Sequence, residues 1–380
     1  MAYDVIIIGA GPAGAMAATR LVSAGVKLAV LEKATLPRRK PCGGALTPQT
    51  IVLLEPHIHE VIHRRLFSIR TLFAGDLERV FQSTTHPMLY LVERRRFDHH
   101  ILQQALQLGG RDVVLKDNFP VRQVEENRDN VTVTGKSGER LTAKYVIAGD
   151  GAFSPTARCL GVNPAAGCGW AIDAEVVPDE MVFEKEIHRA TIHFGCVTGG
   201  YGWIFPKQDY LSCGVGILAT SAGLTDGLEV FLTQSFPNAT LQVRHRSVHP
   251  IPMFRGLGGI ATDRICLAGD AAGLADPISG EGIRYALESG NLAADAVLEA
   301  LEDTSGAENR LAATYVPKIH DGIGKNLDAL SRFALPVYQK SPEFFYRKFF
   351  LEGAGYRSAF RNLAHRIDRY SVGSPSDRPL

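Results

Sequence analysis

Apolar and polar positions set the first expectations. Residues 4–8 form a short β-branched run, Gly9-Ala10-Gly11-Pro12-Ala13-Gly14 follows, and small residues continue to about Ala24, which predicts strand, glycine turn and helix. Residues 27–31 predict a second strand, ending in Glu32. Residues 123–133 and 141–148 read as a small antiparallel meander, and 190–194, 202–205 and 211–218 as strands split by turn residues. Another short strand, 264–267, runs into Ala268-Gly269-Asp270-Ala271-Ala272-Gly273, then Pro277, Gly280-Glu281-Gly282 and a helix from about 283 to 301. Beyond about residue 307 the pattern is helical.

The first glycine cluster carries a physical mechanism. Gly9 permits the tight turn, Gly11 lets backbone approach a pyrophosphate, and Gly14 lets the helix pack on its strand, so phosphates sit at a positive helix N-terminus. Glu32 lies 18 residues past Gly14, near the spacing of an acid that accepts hydrogen bonds from a ribose. Gly9, Gly11, Pro12, Ala13, Gly14, Glu32 and Lys33 are thus the candidate dinucleotide-binding residues. The downstream cluster favours a flavin dinucleotide. Asp270 at a strand end suits ribityl hydroxyls, and Pro277, Gly280, Gly282 and Ile283 open a helix whose N–H groups and dipole suit an anionic reduced ring.

Composition narrows the field. The chain has 380 residues with 41 Lys plus Arg against 40 Asp plus Glu, a net charge of +1, which supplies no global field for nucleic acid. Six cysteines without a C-x-x-C pair argue against a disulfide framework and for a reducing, cytoplasmic setting. The N-terminal apolar run, broken by glycines and a proline, reads as neither signal peptide nor membrane span. His59-Glu60-Val61-Ile62-His63 matches the zinc pattern H-E-x-x-H; with no third-ligand motif following, it reads as a solvated helix face and no metal is expected.

Five separated motifs over about 300 residues resemble the geranylgeranyl reductases, FAD-dependent enzymes with the para-hydroxybenzoate hydroxylase fold. They are VIIIGAGPAG (5–14), KPCGG (40–44), ERRRFD (93–98), YGWIFPK (201–207) and GDAAGLADPISGEGI (269–283). The second and fourth distinguish these reductases from other flavoproteins. The resemblance implies an α/β fold: a Rossmann-type FAD-binding lobe from residues 1–70, 94–165 and 260–310, an inserted antiparallel β-sheet substrate lobe from 71–93 and 166–259, and a C-terminal helical region, 311–380. It also implies that Arg94 approaches the FAD phosphates, that Asp150 supports the cofactor, and that Val121 touches the adenine through its backbone. The arginine run 94–96 does not itself select which member faces inward. Residues 40–44 would lie beside the isoalloxazine, with Gly43 and Gly44 allowing close approach and Cys42 positioning substrate or assisting proton delivery.

Reducing a carbon–carbon double bond needs a hydride, a proton and a dry, lined pocket. Tyr201, Trp203 and Phe205 alternate on a strand and so share a face, which either encloses a polyprenyl chain or packs between the two lobes. Cys42, Tyr201 and Trp203 are the candidate catalytic residues, and Tyr201, Trp203, Phe205 and Pro206 the candidate substrate-binding residues. With one glycine fingerprint, NADPH would bind transiently or another reductant would serve. Two alternatives stay open: a flavin-dependent monooxygenase or halogenase, and an FAD-bearing prenyl-lipid binder or electron carrier. From Lys340 to Tyr370 seven basic residues face three acids among Phe344, Phe345, Tyr346, Phe349 and Phe350. That composition fits peripheral contact with an anionic membrane and equally fits core helices with a basic outer face.

Overall fold

The computed structural model describes residues 2–54, 57–74, 77–166, 168–217, 222–303, 311–335, 338 and 342–347. The chain opens with β1 (Ala2–Ile8), α1 (Pro12–Val22) and β2 (Leu28–Leu31). Pro12 takes the first helical turn of α1, where its missing N–H has no intrahelical partner to lose. Next come β3 (Ala45–Leu46), α2 (Pro48–Val52), β4 (Ile62–Leu66), β5 (Ser68–Phe73), β6 (Leu77–Gln82), β7 (Leu89–Val92) and α3 (Arg94–Gly109). Then follow β8 (Val113–Lys116), β9 (Val121–Glu126), β10 (Val131–Gly135), β11 (Arg140–Ala148), α4 (Pro155–Cys159), β12 (Gly169–Pro178) and α5 (Glu180–Glu186). The remainder is β13 (Ala190–Phe194), β14 (Gly200–Pro206), β15 (Leu211–Ile217), α6 (Leu224–Ser235), β16 (Leu241–Ile251), β17 (Ile265–Leu267), α7 (Ile283–Glu302), α8 (Leu311–Ile319), α9 (Lys325–Leu335) and α10 (Pro342–Tyr346).

The first sheet has the order β8-β2-β1-β11-β10-β9. β8, β2, β1 and β11 run parallel, and the second half of β11 also pairs parallel with β17. β2 is buried at all four positions, as a parallel strand covered on both faces requires. α1 and α7 pack closely because Gly290 has no side chain: a Cβ there would stand 2.2 Å from Ala13 O. The chain's first and last strand–turn–helix units therefore share one end of one sheet.

The second sheet, β16-β12-β15-β14-β13-β5-β6, is antiparallel except at β13–β5. A core of Ile172, Ile204, Val215, Leu228, Phe231 and neighbours fills the space between this sheet and α6. A small third sheet, β3-β7-β4, lies between the two in sequence. The expected lobe boundary at residue 70 falls inside β5, and β7, expected in the substrate lobe, pairs with β3 and β4 instead.

The H-E-x-x-H stretch is not one helix face. Residues 57–61 form a single 3₁₀ turn, and Ile62 begins β4, captured by pairing with β7, so His59 and His63 stand on different elements. Among the described residues no helix is long and apolar enough to cross a membrane. Of the basic aromatic C-terminal stretch, residues 340–341 and 348–370 lie outside the described part.

Candidate active site

The glycine turn is as tight as its sequence requires. Gly9 has φ +99°, and a Cβ there would lie 2.3 Å from Gly149 O, while one on Gly14 would lie 1.9 Å from Gly9 O. A Cβ on Gly11 would meet only Arg38 Nη2, at 3.4 Å, so the backbone leading into α1 is open on that side. Pro12 and Ala13 start α1 and are buried.

Glu32 is buried and fully engaged. Its Oε2 accepts from Ala10 N–H at 3.0 Å and pairs with Arg38 Nε at 3.1 Å, while Oε1 accepts from Ala34 N–H at 3.1 Å. Arg38 bridges onward to Asp98 Oδ2 at 3.1 Å. Lys33, next to the acid, is exposed. Val121 is buried at the start of β9, and the segment before it passes the acid: Phe119 N–H donates to Glu32 O at 2.8 Å. Asp150 follows β11, its Oδ2 accepting from Thr156 Oγ1 at 2.8 Å. Its Oδ1 is buried without a hydrogen-bond partner among the described residues, and burial pushes the carboxyl up.

The structure selects one member of the arginine run. Arg95 and Arg96 are exposed, whereas Arg94 turns inward and holds Asp98 with two bonds of 2.7 and 2.9 Å. Burial works against its charge, but Asp98 and the adjacent Cys42 sulfur more than offset that and raise the pKa. Arg94 thus sits at the 40–44 loop, and Arg38, which sequence reasoning did not single out, lies nearest the glycine turn.

Within that loop Gly44 N–H donates to Cys42 Sγ at 3.3 Å, and Gly44 adopts φ +63°. Lys40 Nζ lies 2.6 Å from His249 Nε2 on β16. Burial pulls Lys40 down to about 8, partly opposed by Asp270. Beneath the loop lies Lys207, 2% exposed, also lowered to about 8 by burial with partial compensation from Cys42 and Asp173. Nothing in the spacing of residues distinguished Lys207 from an ordinary surface lysine after a strand.

The three aromatics of β14 share a face, with ring centroids 6.3 Å apart for Tyr201–Trp203 and 6.5 Å for Trp203–Phe205. They have different surroundings. A Cβ on Gly43 would touch Phe205 at 2.9 Å and Trp203 Nε1 at 3.2 Å, and Trp203 lies over Gly214 and donates to Ser212 Oγ at 3.3 Å. Ser212 donates in turn to Asp173 at 2.8 Å, whose carboxyl is raised by burial. Pro206 is buried. Tyr201 alone of the four candidate substrate-binding residues lines an apolar cleft, with Gly216, Ile217, Ile251, Met253 and Tyr338. The cleft is narrow and partly open to solvent, with enclosed room for about one water.

A turn closes one side of the cleft. Asp276 Oδ1 accepts from Ile278 N–H at 2.7 Å and Ser279 N–H at 3.0 Å, fixing residues 276–280; Pro277 is buried and Gly280 has φ +68°. Tyr201 donates to Ser279 O and Tyr338 to Ile278 O, latching both rings onto this turn. Gly282 caps α7, Ile283 begins it, and Asp270 Oδ1 lies 3.4 Å from where a Gly282 Cβ would be. Tyr338 and Asp276 were not among the expected site residues; the first had no motif, and the second was one unremarked acid within GDAAGLADPISGEGI.

Residues 2–195 match the FAD binding domain family. A menaquinone reductase of Mycobacterium tuberculosis is 31% identical over 357 residues, covering 87% of this chain and 83% of that protein. The chain belongs to the geranylgeranyl reductase family of FAD-binding proteins. A digeranylgeranylglycerophospholipid reductase of Methanosarcina mazei is 27% identical, covering 86% of this chain and 82% of that one. A geranylgeranyl bacteriochlorophyll reductase-like protein of Thermoplasma acidophilum shares the fold at a TM-score of 0.77, 24% identity and 88% coverage of both chains. The halogenase PltM shares it at a TM-score of 0.73, 20% identity, and 97% and 83% coverage.

As a geranylgeranyl reductase family member, the chain is an FAD-dependent oxidoreductase, and its residues fit that cofactor. The open backbone at Gly11, the N-terminus of α1, and the unpartnered buried Asp150 Oδ1 beside Gly9 are acceptors and donors of the kind a dinucleotide satisfies.

Proposed function

We propose that this protein reduces carbon–carbon double bonds of a geranylgeranyl or other polyprenyl chain carried on a lipid or quinone headgroup. The observation that supports this most is the apolar cleft between β14, β15 and the 276–280 turn, floored by glycines and closed by two tyrosines. Its lining suits a thin hydrocarbon chain better than a compact polar ring. The names of the two reductase relatives point the same way.

In this reading the 9–14 turn, Glu32, Asp150, Asp270 and the N-terminus of α7 hold FAD, with Arg38 and Arg94 supplying positive charge along it. Bound FAD supplies the hydride. The chain's own side chains do the rest: Tyr201 and the cleft position the double bond and exclude water, while Trp203 and Phe205 support the 40–44 loop from below. Each saturated bond also takes up one proton, a role we assign to Cys42 Sγ. Tyr201 is a poorer donor, because burial raises its pKa and its proton is engaged by Ser279 O. The electron donor is NADPH or another reductant binding transiently.

The test is anaerobic. Purified FAD-loaded protein is reduced with dithionite, mixed with geranylgeranyl diphosphate or menaquinone, and followed by flavin reoxidation and product mass. A gain of two hydrogens per bond, coincident with reoxidation, is the expected result. Reoxidation on menaquinone without saturation of its chain identifies an electron carrier. If the flavin stays reduced until oxygen enters, prenyl reduction fails for these substrates, and aromatic substrates with and without halide test monooxygenase and halogenase chemistry.

A further inference from the structure

Two of the sequence motifs, and the residue just before a third, meet at one buried ammonium. Lys207 closes the 201–207 segment, and its Nζ donates to Gly43 O at 2.6 Å and Val92 O at 3.0 Å. Gly43 belongs to the 40–44 loop, and Val92 ends β7 just before Glu93 and Arg94. Lys207 is anchored at its backbone too: its N–H donates to Tyr210 O at 2.7 Å, and its carbonyl accepts from Arg64 Nε at 2.9 Å. Taking an ammonium out of water is costly, so a lysine whose direct ligands are carbonyls calls for a compensating role.

The geometry supplies one. A trans peptide is planar, and its C=O and N–H point to opposite sides. In the 43–44 peptide, Lys207 holds the oxygen, while the N–H on the far side donates to Cys42 Sγ at 3.3 Å. A charged donor at the oxygen polarises the amide and strengthens its N–H. The loop also presses on the lysine: a Cβ on Gly44 would lie 2.2 Å from Val92 O and 3.0 Å from Lys207 Nζ.

We propose that Lys207 is a positioning residue that acts through the 43–44 peptide to fix the orientation of the Cys42 thiol. The consequence for catalysis rests on Cys42 serving as proton donor in prenyl reduction; the contact itself does not.

The test uses the full-length FAD-loaded protein. Iodoacetamide alkylation of Cys42 is followed residue by residue by mass spectrometry, without substrate, in wild type and Lys207→Met, with exposed Cys159 as internal control. Release of the loop is expected to raise the Cys42 rate at least fivefold and leave Cys159 unchanged; an unchanged Cys42 rate overturns the proposal. Should the Met variant fail to load FAD, Lys207→Gln, which keeps a donor but loses the charge, is expected to raise the Cys42 rate by less, about twofold, and an unchanged rate again overturns the proposal. A double-mutant cycle with Cys42→Ser then traces the route to catalysis. Lys207→Met is expected to lower kcat at least tenfold with little change in KM, and to cost less than twofold when Cys42 is already Ser. Penalties that multiply overturn action through Cys42. Faster alkylation in a protein that turns over no prenyl substrate rejects the functional reading while the positioning role stands, and normal prenyl turnover with unchanged alkylation does the reverse.

Discussion

Glu32 accepts two backbone N–H groups and pairs with Arg38, yet one of those N–H donors, Ala10, lies inside the glycine turn. Its charge therefore holds the shape of the turn as well as any ribose that binds beside it. Glu32→Gln keeps the size and one acceptor and removes the charge, and charge-assisted bonds are roughly twice as strong as neutral ones. We expect FAD affinity to fall about tenfold, on the order of 1.4 kcal/mol, measured by quenching of FAD fluorescence on binding; unchanged affinity would remove Glu32 from the cofactor site. This residue was legible because a strand, a turn and a helix of fixed length put the acid at a fixed spacing. Arg38, Asp98 and Lys207 were not, because what gives them meaning is a partner 60 residues away for the first two and 164 away for the third. The sequence names such groups but does not pair them. Arg94 lies between these cases: its motif was visible, and only packing decided that it, rather than Arg95 or Arg96, turns inward.

At the scale of elements, β14 was legible as an alternating aromatic strand, but the alternation could not say what its rings face. That is decided by glycines on the next strand. Tyr201 pairs with Gly216 and Trp203 with Gly214, so the missing side chains of β15 make room for whatever lies above. At Gly214 the room is taken by the Trp203 ring, 2.1 Å from where a Cβ would be. At Gly216 a Cβ would meet nothing closer than 3.9 Å, and the space is cleft. Gly216→Leu should accordingly fill the cleft without straining the strand. FAD content and melting temperature are expected to match wild type while KM for the prenyl substrate rises at least tenfold; an unchanged KM would place the chain elsewhere. The H-E-x-x-H stretch shows the opposite failure. Five residues fit either period, and the pairing of Ile62–Leu66 with β7, invisible in local pattern, decided for strand.

Across the whole molecule the two large sheets are joined by polar contacts over a nearly neutral chain: Lys40 with His249, Arg39 with Glu175 at 2.6 Å, Lys207 with Gly43, and the two tyrosines with the 276–280 turn. With a net charge of only +1, the response to pH is governed by buried groups rather than by overall repulsion. His63 is the clearest case. Burial pushes it down to about 3, and Lys207, Arg64 and Arg96 push the same way. Between pH 6.5 and that value the unfolded chain binds a proton that the folded chain refuses, so this group removes stability as pH falls through the window. Asp150, Asp173 and Glu281, raised by burial, act in the opposite sense, and the slope of wild type alone is therefore mixed. The comparison with His63→Gln isolates the histidine. The melting temperature of wild type should fall faster than that of the variant between pH 6.5 and 4.5. After discounting for partial exposure of the ring, the divergence corresponds to about 1 kcal/mol, or roughly 1 °C for a chain of this length. Parallel curves would mean that His63 takes up its proton in the folded state as readily as in the unfolded chain, and so that burial does not exclude its charge.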